Sequence, residues 1–505
     1  MIRWLLPFLI ATPWLTPFAP APSSYGVPWL VTLWCAVLAL AVVGWCRPDR
    51  LALATAWARG LVLAAGVSAV IGLAQYSGLA AQWSEAAQGW INAGRAGEAY
   101  GHLRQRNLFA TLMNIALAAA TFLLWRQPRP LRAPSWLLWS ACALLLIAAN
   151  VASASRTGLI QLIAMALLGL AFVALRRAPA LLAGLSALAL AFWAVALWAV
   201  PRFLGPTDAL TALDRMAEAH SCENRLVLWL NVMELISQRP WFGWGLGELD
   251  WAHHMAEYQW AVLGGPHRFC YLLDNAHNLL LQVAVEAGLL AAAGLLAAIG
   301  ALLVARKPWR EQRPHVALAW AVVGLVLFHS LLEYPLWYGP FAVATTVSLW
   351  LILQPATAMP GQRVRRWAWA TAVVGALLSG WLAFDYLRVS QYFLPREQRL
   401  SWIDTPALTH ARSSAFFQSH LDFARLITLN IDQDNAAEAL VLAQSVMHYS
   451  PEPRVIEQLL LAAMWQNDQA SIDLHEARYR QAYPDAHRKW LVRRPLIQST
   501  IAARR

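Results

Sequence analysis

The sequence predicts an all-α polytopic membrane protein with about eleven transmembrane helices, and three observations carry that reading. Of the 505 residues, 59% are hydrophobic and only 13% are charged, giving a mean hydropathy of +0.45; an ordinary soluble domain carries roughly a quarter charged residues. Several runs reach the ~20 apolar residues that a helix needs to cross a bilayer, and none shows the ~10-residue alternation of a barrel strand. The third is the set of 28 tryptophans, of which Trp4, Trp125, Trp136, Trp337 and Trp367 stand near expected span ends, where indole favours the headgroup zone.

Taken in order, the spans are expected near residues 3–19, 28–46, 57–75, 107–125, 134–152, 157–175, 179–200, 279–304, 315–333, 337–354 and 367–386. Met1 to Ala19 has the early arginine and apolar core of a signal peptide, but Pro17 to Pro22 makes a poor small-residue cleavage site, so an uncleaved first span is expected. Every second connection is basic: Arg47, Arg50 and Arg59; Arg126, Arg129 and Arg132; Arg176 and Arg177; Arg306, Lys307, Arg310 and Arg313; Arg363, Arg365 and Arg366. Only Asp49 and Glu311 oppose them. The positive-inside rule places these connections and the N-terminus in the cytoplasm, and by parity the other loops and the C-terminal tail face outward. The net charge of +11 is spread over these short clusters rather than gathered in one patch, so the expected partner is the lipid bilayer and not nucleic acid.

Four regions follow: residues 1–200, an N-terminal transmembrane bundle; 201–278, an outward loop with helices; 279–386, the C-terminal transmembrane helices; and 387–505, an outward helical domain. The loop combines a helical stretch, Glu223 to Gln238, with the turn-rich run Arg239-Pro240-Trp241-Phe242-Gly243-Trp244-Gly245-Leu246-Gly247. No strand precedes these glycines and no Lys-Ser/Thr follows, so the run is read as a tight turn at the membrane surface rather than a phosphate loop. The tail is amphipathic over His420 to Leu429, Asn435 to Tyr449, Arg454 to Gln466 and Gln469 to Ala482, like tetratricopeptide helix pairs without a repeat in register. Cys35, Cys46 and Cys142 lie in or at the ends of spans, whereas Cys222 and Cys270 share the outward loop, where an oxidising compartment allows a disulfide.

Chemistry is sought on the outward side. Asp274-Asn275-Ala276-His277-Asn278 stands directly before the apolar run Leu279 to Val304, which puts an imidazole at a membrane-water boundary. Its unperturbed pKa lies near neutrality, so it can take a proton from a hydroxyl; the alternative is a helix cap with a spectator histidine. Arg104 and Arg106 in Leu103-Arg104-Gln105-Arg106-Asn107, Arg156 in Ser153-Ala154-Ser155-Arg156-Thr157-Gly158, and Arg225 after Glu223-Asn224 face the same side, against the positive-inside bias. Guanidinium groups hold phosphate bidentately and never discharge; snorkelling or a local ion pair is the alternative for each. Glu286, two turns into its span, is a functional candidate or interhelical glue. The turn His329 to Tyr338 supplies Glu333 and Tyr334. His253-His254 has no third ligand at metal spacing, so no metal is expected.

Together these motifs resemble the O-antigen ligase and polymerase superfamily. They are Arg104 to Leu112, Ser155 to Gly158, Asn224-Arg225 with Trp229, Gly243 to Gly247, Asp274 to Asn278 running into Leu281 to Gly288, and Leu332 to Tyr338. More narrowly they resemble its bacterial protein O-oligosaccharyltransferase (PglL-like) branch, from about residue 90 to 350 and again in the helical tail; Arg106 replaces an expected proline and Asn275 an expected second histidine. The resemblance implies a GT-C-like, metal-independent, inverting glycosyltransferase of the bacterial inner membrane, without cofactor and with a periplasmic active site. Its donor would be a glycan on undecaprenyl diphosphate, moved as a block to a serine or threonine of an acceptor protein such as a pilin. His277 would be the general base or acceptor-orienting group, with Arg156 and Arg225 holding the diphosphate. Arg104, Gln105, Arg106, Asn107, Asn278, Glu286, Glu333 and Tyr334 would bind substrate. The nearest alternative is a lipopolysaccharide O-antigen ligase or O-antigen polymerase; one of another class is a transporter or lipid flippase, which needs polar groups near the bilayer midplane.

Overall fold

The computed structural model describes residues 4–46, 48–87, 89–128, 132–175, 180–206, 224–261, 267–354, 362–403, 405–408 and 411–504. Arg47, Arg129, Arg176, Arg177, Cys222 and Glu223 lie outside the described residues. The described chain is helical, with no strand: α1 (Leu5–Ala11), α2 (Gly26–Cys46), α3 (Arg50–Tyr76), α4 (Ala80–Ala86), α5 (Arg106–Trp125), α6 (Ala133–Ala152), α7 (Arg156–Ala174), α8 (Ala180–Phe203), α9 (Arg225–Gln238), α10 (Leu249–Met255), α11 (Leu279–Arg306), α12 (Pro314–Ser330), α13 (Gly339–Leu353), α14 (Gln362–Ser390), α15 (Gln418–Thr428), α16 (Ala436–Met447), α17 (Pro453–Gln466), α18 (Gln469–Ala482) and α19 (Pro484–Arg504). Among the described residues, eight helices are long and apolar enough to cross a membrane. The other three expected spans form shorter apolar helices, Leu5–Leu15, Pro314–Ser330 and Gly339–Leu353. At 1.5 Å per residue the last two reach about 23–26 Å, somewhat less than the ~30 Å hydrocarbon layer. The protein is a multi-pass membrane protein.

The chain divides into two compact units, Met1–Glu218 with Gly300–Trp381, and Ala219–Ile299 with Leu382–Arg505. In the first, α3 and α5 form the enclosed centre: 61% and 78% of their apolar stretches are buried, against 17% for α2 and 11% for α14. Small residues allow this close approach, as expected where lipid offers no hydrophobic drive between helices: Ala58, Ala64, Ala65 and Ala69 on α3 share one core with Leu108, Phe109, Leu112 and Met113 on α5. Polar side chains inside the bundle satisfy one another. Asn114 Nδ2 donates to the Gly158 carbonyl (2.9 Å) and to Gln161 Oε1 (3.1 Å), and Asn150 Nδ2 donates to Asn114 Oδ1 (3.1 Å). Thr111 Oγ1 donates to Gln161 Oε1 at 3.0 Å and lies 2.9 Å from His329 Nδ1.

In the second unit, α9, α10 and the first turns of α11 share a core of Leu228, Val232, Leu235, Leu249, Leu273, Ala284 and Val285. The tail helices pack successively around Leu426, Met447, Ile456, Leu459, Leu460, Tyr479 and Trp490. Loop and tail meet directly. The His448 imidazole lies 2.6 Å from a Glu248 carboxylate oxygen, the Trp251 ring sits 4.3 Å from that of His448, and His254 Nε2 is 3.4 Å from His475 Nδ1. Cys270 is disulfide-bonded, and Cys35, Cys46 and Cys142 are free thiols.

Candidate active site

Three of the expected cations share one local design. Each is the first residue of a helix and follows a polar residue whose side chain caps that helix. Gln105 Oε1 accepts from the Leu108 amide (2.6 Å) before Arg106, Ser155 Oγ from the Gly158 amide (3.0 Å) before Arg156, and Asn224 Oδ1 from the Leu226 amide (2.9 Å) before Arg225. The apolar runs that follow each cap explain why the helices begin there.

In the first unit the structure brings three separate motifs together. Ser155 Oγ donates to Asn107 Oδ1 at 2.7 Å, and Asn107 Nδ2 donates to Glu333 Oε1 at 3.1 Å. Glu333 is buried, with its amide bonded to the His329 carbonyl (2.9 Å) as the chain leaves α12. Arg156 stands beside this chain with an exposed guanidinium that has no partner among the described residues. Arg106 lies 4.0 Å from Glu98. Arg104 is in the left-handed region (φ 56°) and donates to the Pro17 carbonyl, a structural tether. The Tyr334 ring stacks on Tyr338 at 6.3 Å.

In the second unit the segment before α11 is held from three sides. The His277 amide donates to Asn275 Oδ1 (2.8 Å), and the Ala276 amide donates to Gln282 Oε1 (2.6 Å). Trp229 Nε1 donates to the Ala276 carbonyl (3.1 Å). Asn278 Oδ1 accepts from the Leu280 and Leu281 amides at 3.0 and 3.1 Å and so caps α11. His277 has φ 49°, a left-handed conformation that costs a non-glycine residue about 1–2 kcal/mol and is maintained here by these bonds. Trp229 is one turn after Arg225, so its anchoring of Ala276 brings α9 up to His277. Burial, with the Arg225 charge adding to it, pushes the His277 imidazole down to about 4. The ring is therefore neutral at physiological pH, with a lone pair to offer a hydroxyl.

Below His277, α11 is broken at Gly288 (φ 88°, ψ 167°). The glycine-rich turn fills the break: the Trp244 amide donates to the Val285 carbonyl (2.8 Å), the Gly245 amide to the Glu286 carbonyl (3.0 Å), and the Leu289 amide to the Pro240 carbonyl (2.7 Å). Glu286 Oε1 accepts from the Gly247 amide at 2.9 Å, so this acid ties the turn to the helix. A Cβ at Gly288 would lie 1.9 Å from the Trp241 carbonyl oxygen, which admits only glycine.

Ser155, Gln282 and Trp229 hold the site residues in place but were not among the residues singled out for chemistry. The signal for the first was present, since Ser-Arg-Thr-Gly before an apolar run is an N-cap pattern. The contact from Trp229 to Ala276 joins residues far apart in sequence and has no local signal. Among the described residues, no three His, Cys, Asp or Glu side chains stand close enough to share a metal ion.

Three family models match the chain, together containing the expected site residues from Arg104 to Tyr334: "Protein glycosylation ligase" over residues 99–124, "O-Antigen ligase" over 141–296, and "Virulence factor membrane-bound polymerase, C-terminal" over 317–495. The chain is also 24% identical over 307 residues to a general O-oligosaccharyltransferase of Acinetobacter baylyi, a match covering 57% of this chain and 49% of that relative. The chain thus spans about half the length of the curated relative it matches. No solved structure matches it. In the order of the matched segments, and in the residues they contain, the chain is similar to PglL-like members of the O-antigen ligase superfamily.

Proposed function

We propose that the protein transfers a glycan en bloc from undecaprenyl diphosphate to serine or threonine hydroxyls of periplasmic or secreted proteins, a pilin being the model acceptor. The observation that carries this reading is a neutral imidazole, His277, under the influence of Arg225 at the start of α11, inside the segment that matches the O-antigen ligase model. In the proposed reaction the acceptor oxygen attacks the anomeric carbon, the carbon–oxygen bond to the diphosphate breaks, and the diphosphate leaves with the electron pair. The single displacement inverts the anomeric centre. His277 accepts or orients the hydroxyl proton, and Arg156 and Arg225 stabilise the charge that grows on the diphosphate, an interaction stronger in the transition state than in the ground state. We assign Asn107, Ser155 and Glu333 to positioning, and Tyr334, Gln105, Arg106 and Asn278 to the substrate surface. The site is assigned to the periplasmic face of the inner membrane.

A second reading keeps the donor and the residues but gives a saccharide acceptor, as in an O-antigen ligase or polymerase; the matches to the O-antigen ligase and membrane-bound polymerase models favour it. Co-expression with a lipid-linked glycan pathway and a pilin separates the two. Glycan on the pilin, lost in His277→Ala, supports the protein acceptor. Glycan on lipid A core alone, never on protein, selects the second reading, and transfer by His277→Ala at the wild-type rate overturns the catalytic assignment.

A further inference from the structure

The turn that fills the break in α11 carries an unusual load. Phe242 is 83% exposed, Leu246 82% and Trp241 61%, and all three lie within one six-residue loop. Such a cluster is costly in water and marks an interaction surface. Its position along α11 is fixed by backbone bonds, because the Trp244, Gly245 and Leu289 amides pair across it at Val285, Glu286 and Pro240. Gly288 lies 18 residues before Arg306, the basic end of the helix. At 1.5 Å per residue this is about 27 Å, close to the ~30 Å thickness of the hydrocarbon layer. The turn therefore sits at the opposite hydrocarbon boundary, level with Leu289 and Leu290 of the span, which are themselves 44% and 59% exposed. Its polar backbone is satisfied by the broken helix, the condition under which irregular backbone is tolerated at membrane depth. Just before the turn, the exposed Arg239 guanidinium lies 4.1 Å above the Trp244 ring, an aromatic and a cation at headgroup level.

We propose that Trp241, Phe242 and Leu246 form a wedge inserted among the acyl chains of the adjoining leaflet, pinned to the break in α11, so that lipid is the occupant of this surface. The wedge ties the depth of α11, and with it the height of His277, to the bilayer surface. Its apolar tip continues the lipid-facing surface of the span, and its cation stands on the headgroup side. The proposal rests on α11 crossing the membrane and is independent of the reaction assigned to the site.

The test is a collision measurement in phospholipid nanodiscs. In full-length protein carrying Cys35→Ala, Cys46→Ala and Cys142→Ala, with the Cys270 disulfide retained, Phe242→Cys and separately Leu246→Cys are spin-labelled. Collision rates with oxygen and with a polar nickel chelate are then compared, with Leu290→Cys as the lipid reference and Val441→Cys on α16 as the aqueous one. Oxygen collisions exceeding nickel collisions at 242 and 246, as at 290, support the wedge. Nickel collisions exceeding oxygen, as at 441, overturn it in favour of a solvent-exposed loop. Low rates for both overturn it in favour of a protein partner or a second copy of the chain.

Discussion

The pH dependence of transfer is the most direct probe of the site, because the position of His277 on the pH scale follows from its surroundings. The imidazole is held at about 4 instead of 6.5, chiefly by burial and further by Arg225. At 1.36 kcal/mol per pH unit this is about 3 kcal/mol in favour of the neutral ring. In the wild type, kcat/KM with saturating donor and a pilin acceptor is expected to be flat from pH 8 to pH 5, with any acid limb assigned to His277 near 4. Arg225→Gln removes the charge but leaves the burial, so the limb moves upward yet stays below 6.5. The rate at pH 7 falls by about 100–1000-fold, the usual cost of one transition-state donor to developing negative charge. The same displacement has a sign for stability. The unfolded chain takes up the proton first as pH falls, so the contribution is fully present above 6.5 and is lost progressively as pH falls through about 4. A wild-type acid limb at 6.5, or a limb unmoved by Arg225→Gln, would refute the reasoning.

Further outcomes follow from individual contacts. Arg156→Ala abolishes transfer while the amount of protein is unchanged and its melting temperature is equal to the wild type's or slightly higher, since a cation is removed from a helix N-terminus; a parallel fall in protein level and activity would instead make the residue structural. Arg104→Ala lowers Tm by several degrees, because it removes the tether to the Pro17 carbonyl; an unchanged Tm contradicts that role. Gly288→Ala destabilises by at least about 2 kcal/mol, since the new methyl meets the Trp241 carbonyl in a left-handed conformation, and a wild-type thermal melt would show that the break is absent. Asn107→Ala and Glu333→Gln, alone and together, should show a coupling of about 1 kcal/mol or more in transfer rate, and additivity would show that their 3.1 Å hydrogen bond has no functional weight.

Much of this was legible in the sequence because hydropathy records burial in lipid directly. The eight long spans and three shorter apolar helices coincide with the apolar runs, and Arg156, Arg225 and His277 are found at helix starts because Ser155, Asn224 and Asn278 are capping types placed before those runs; Gln105, not a usual capping type, caps α5 all the same. What the sequence hid is pairing over distance. Nothing near Asn107 announces Glu333, 226 residues away, and nothing near Trp229 announces Ala276. The break in α11 was hidden for another reason: Leu279 to Val304 is a continuous apolar run, and glycine is common in transmembrane helices, so Gly288 carries no signal until its φ is known. Glu286, open as a functional acid or as glue to another helix, binds instead the amide of the glycine-rich turn.

The recurrence of arginine at the first position of α5, α7 and α9 argues for an anionic substrate more strongly than any one of them alone. A helix N-terminus already carries about half a positive charge, with amides that lack an intrahelical partner. Adding a cation there costs about 0.3–1 kcal/mol, so folding alone favours Asp or Glu at these positions. In Arg106 the conflict is partly relieved by Glu98 at 4.0 Å. In Arg156 no carboxylate among the described residues relieves it, and the guanidinium is exposed. A sequence that places cations against the dipole at three capped helix starts, each in a segment matched by a glycan-ligase model, gives up stability in the empty state that an arriving anion restores. A diphosphate does so twice over, accepting both from the guanidinium and from the amides of the first turn. Nitrate or sulfate at tens of millimolar should therefore raise the Tm of the wild type by more than that of Arg156→Ala. An equal rise in both would show that the exposed arginine does not contribute to anion binding.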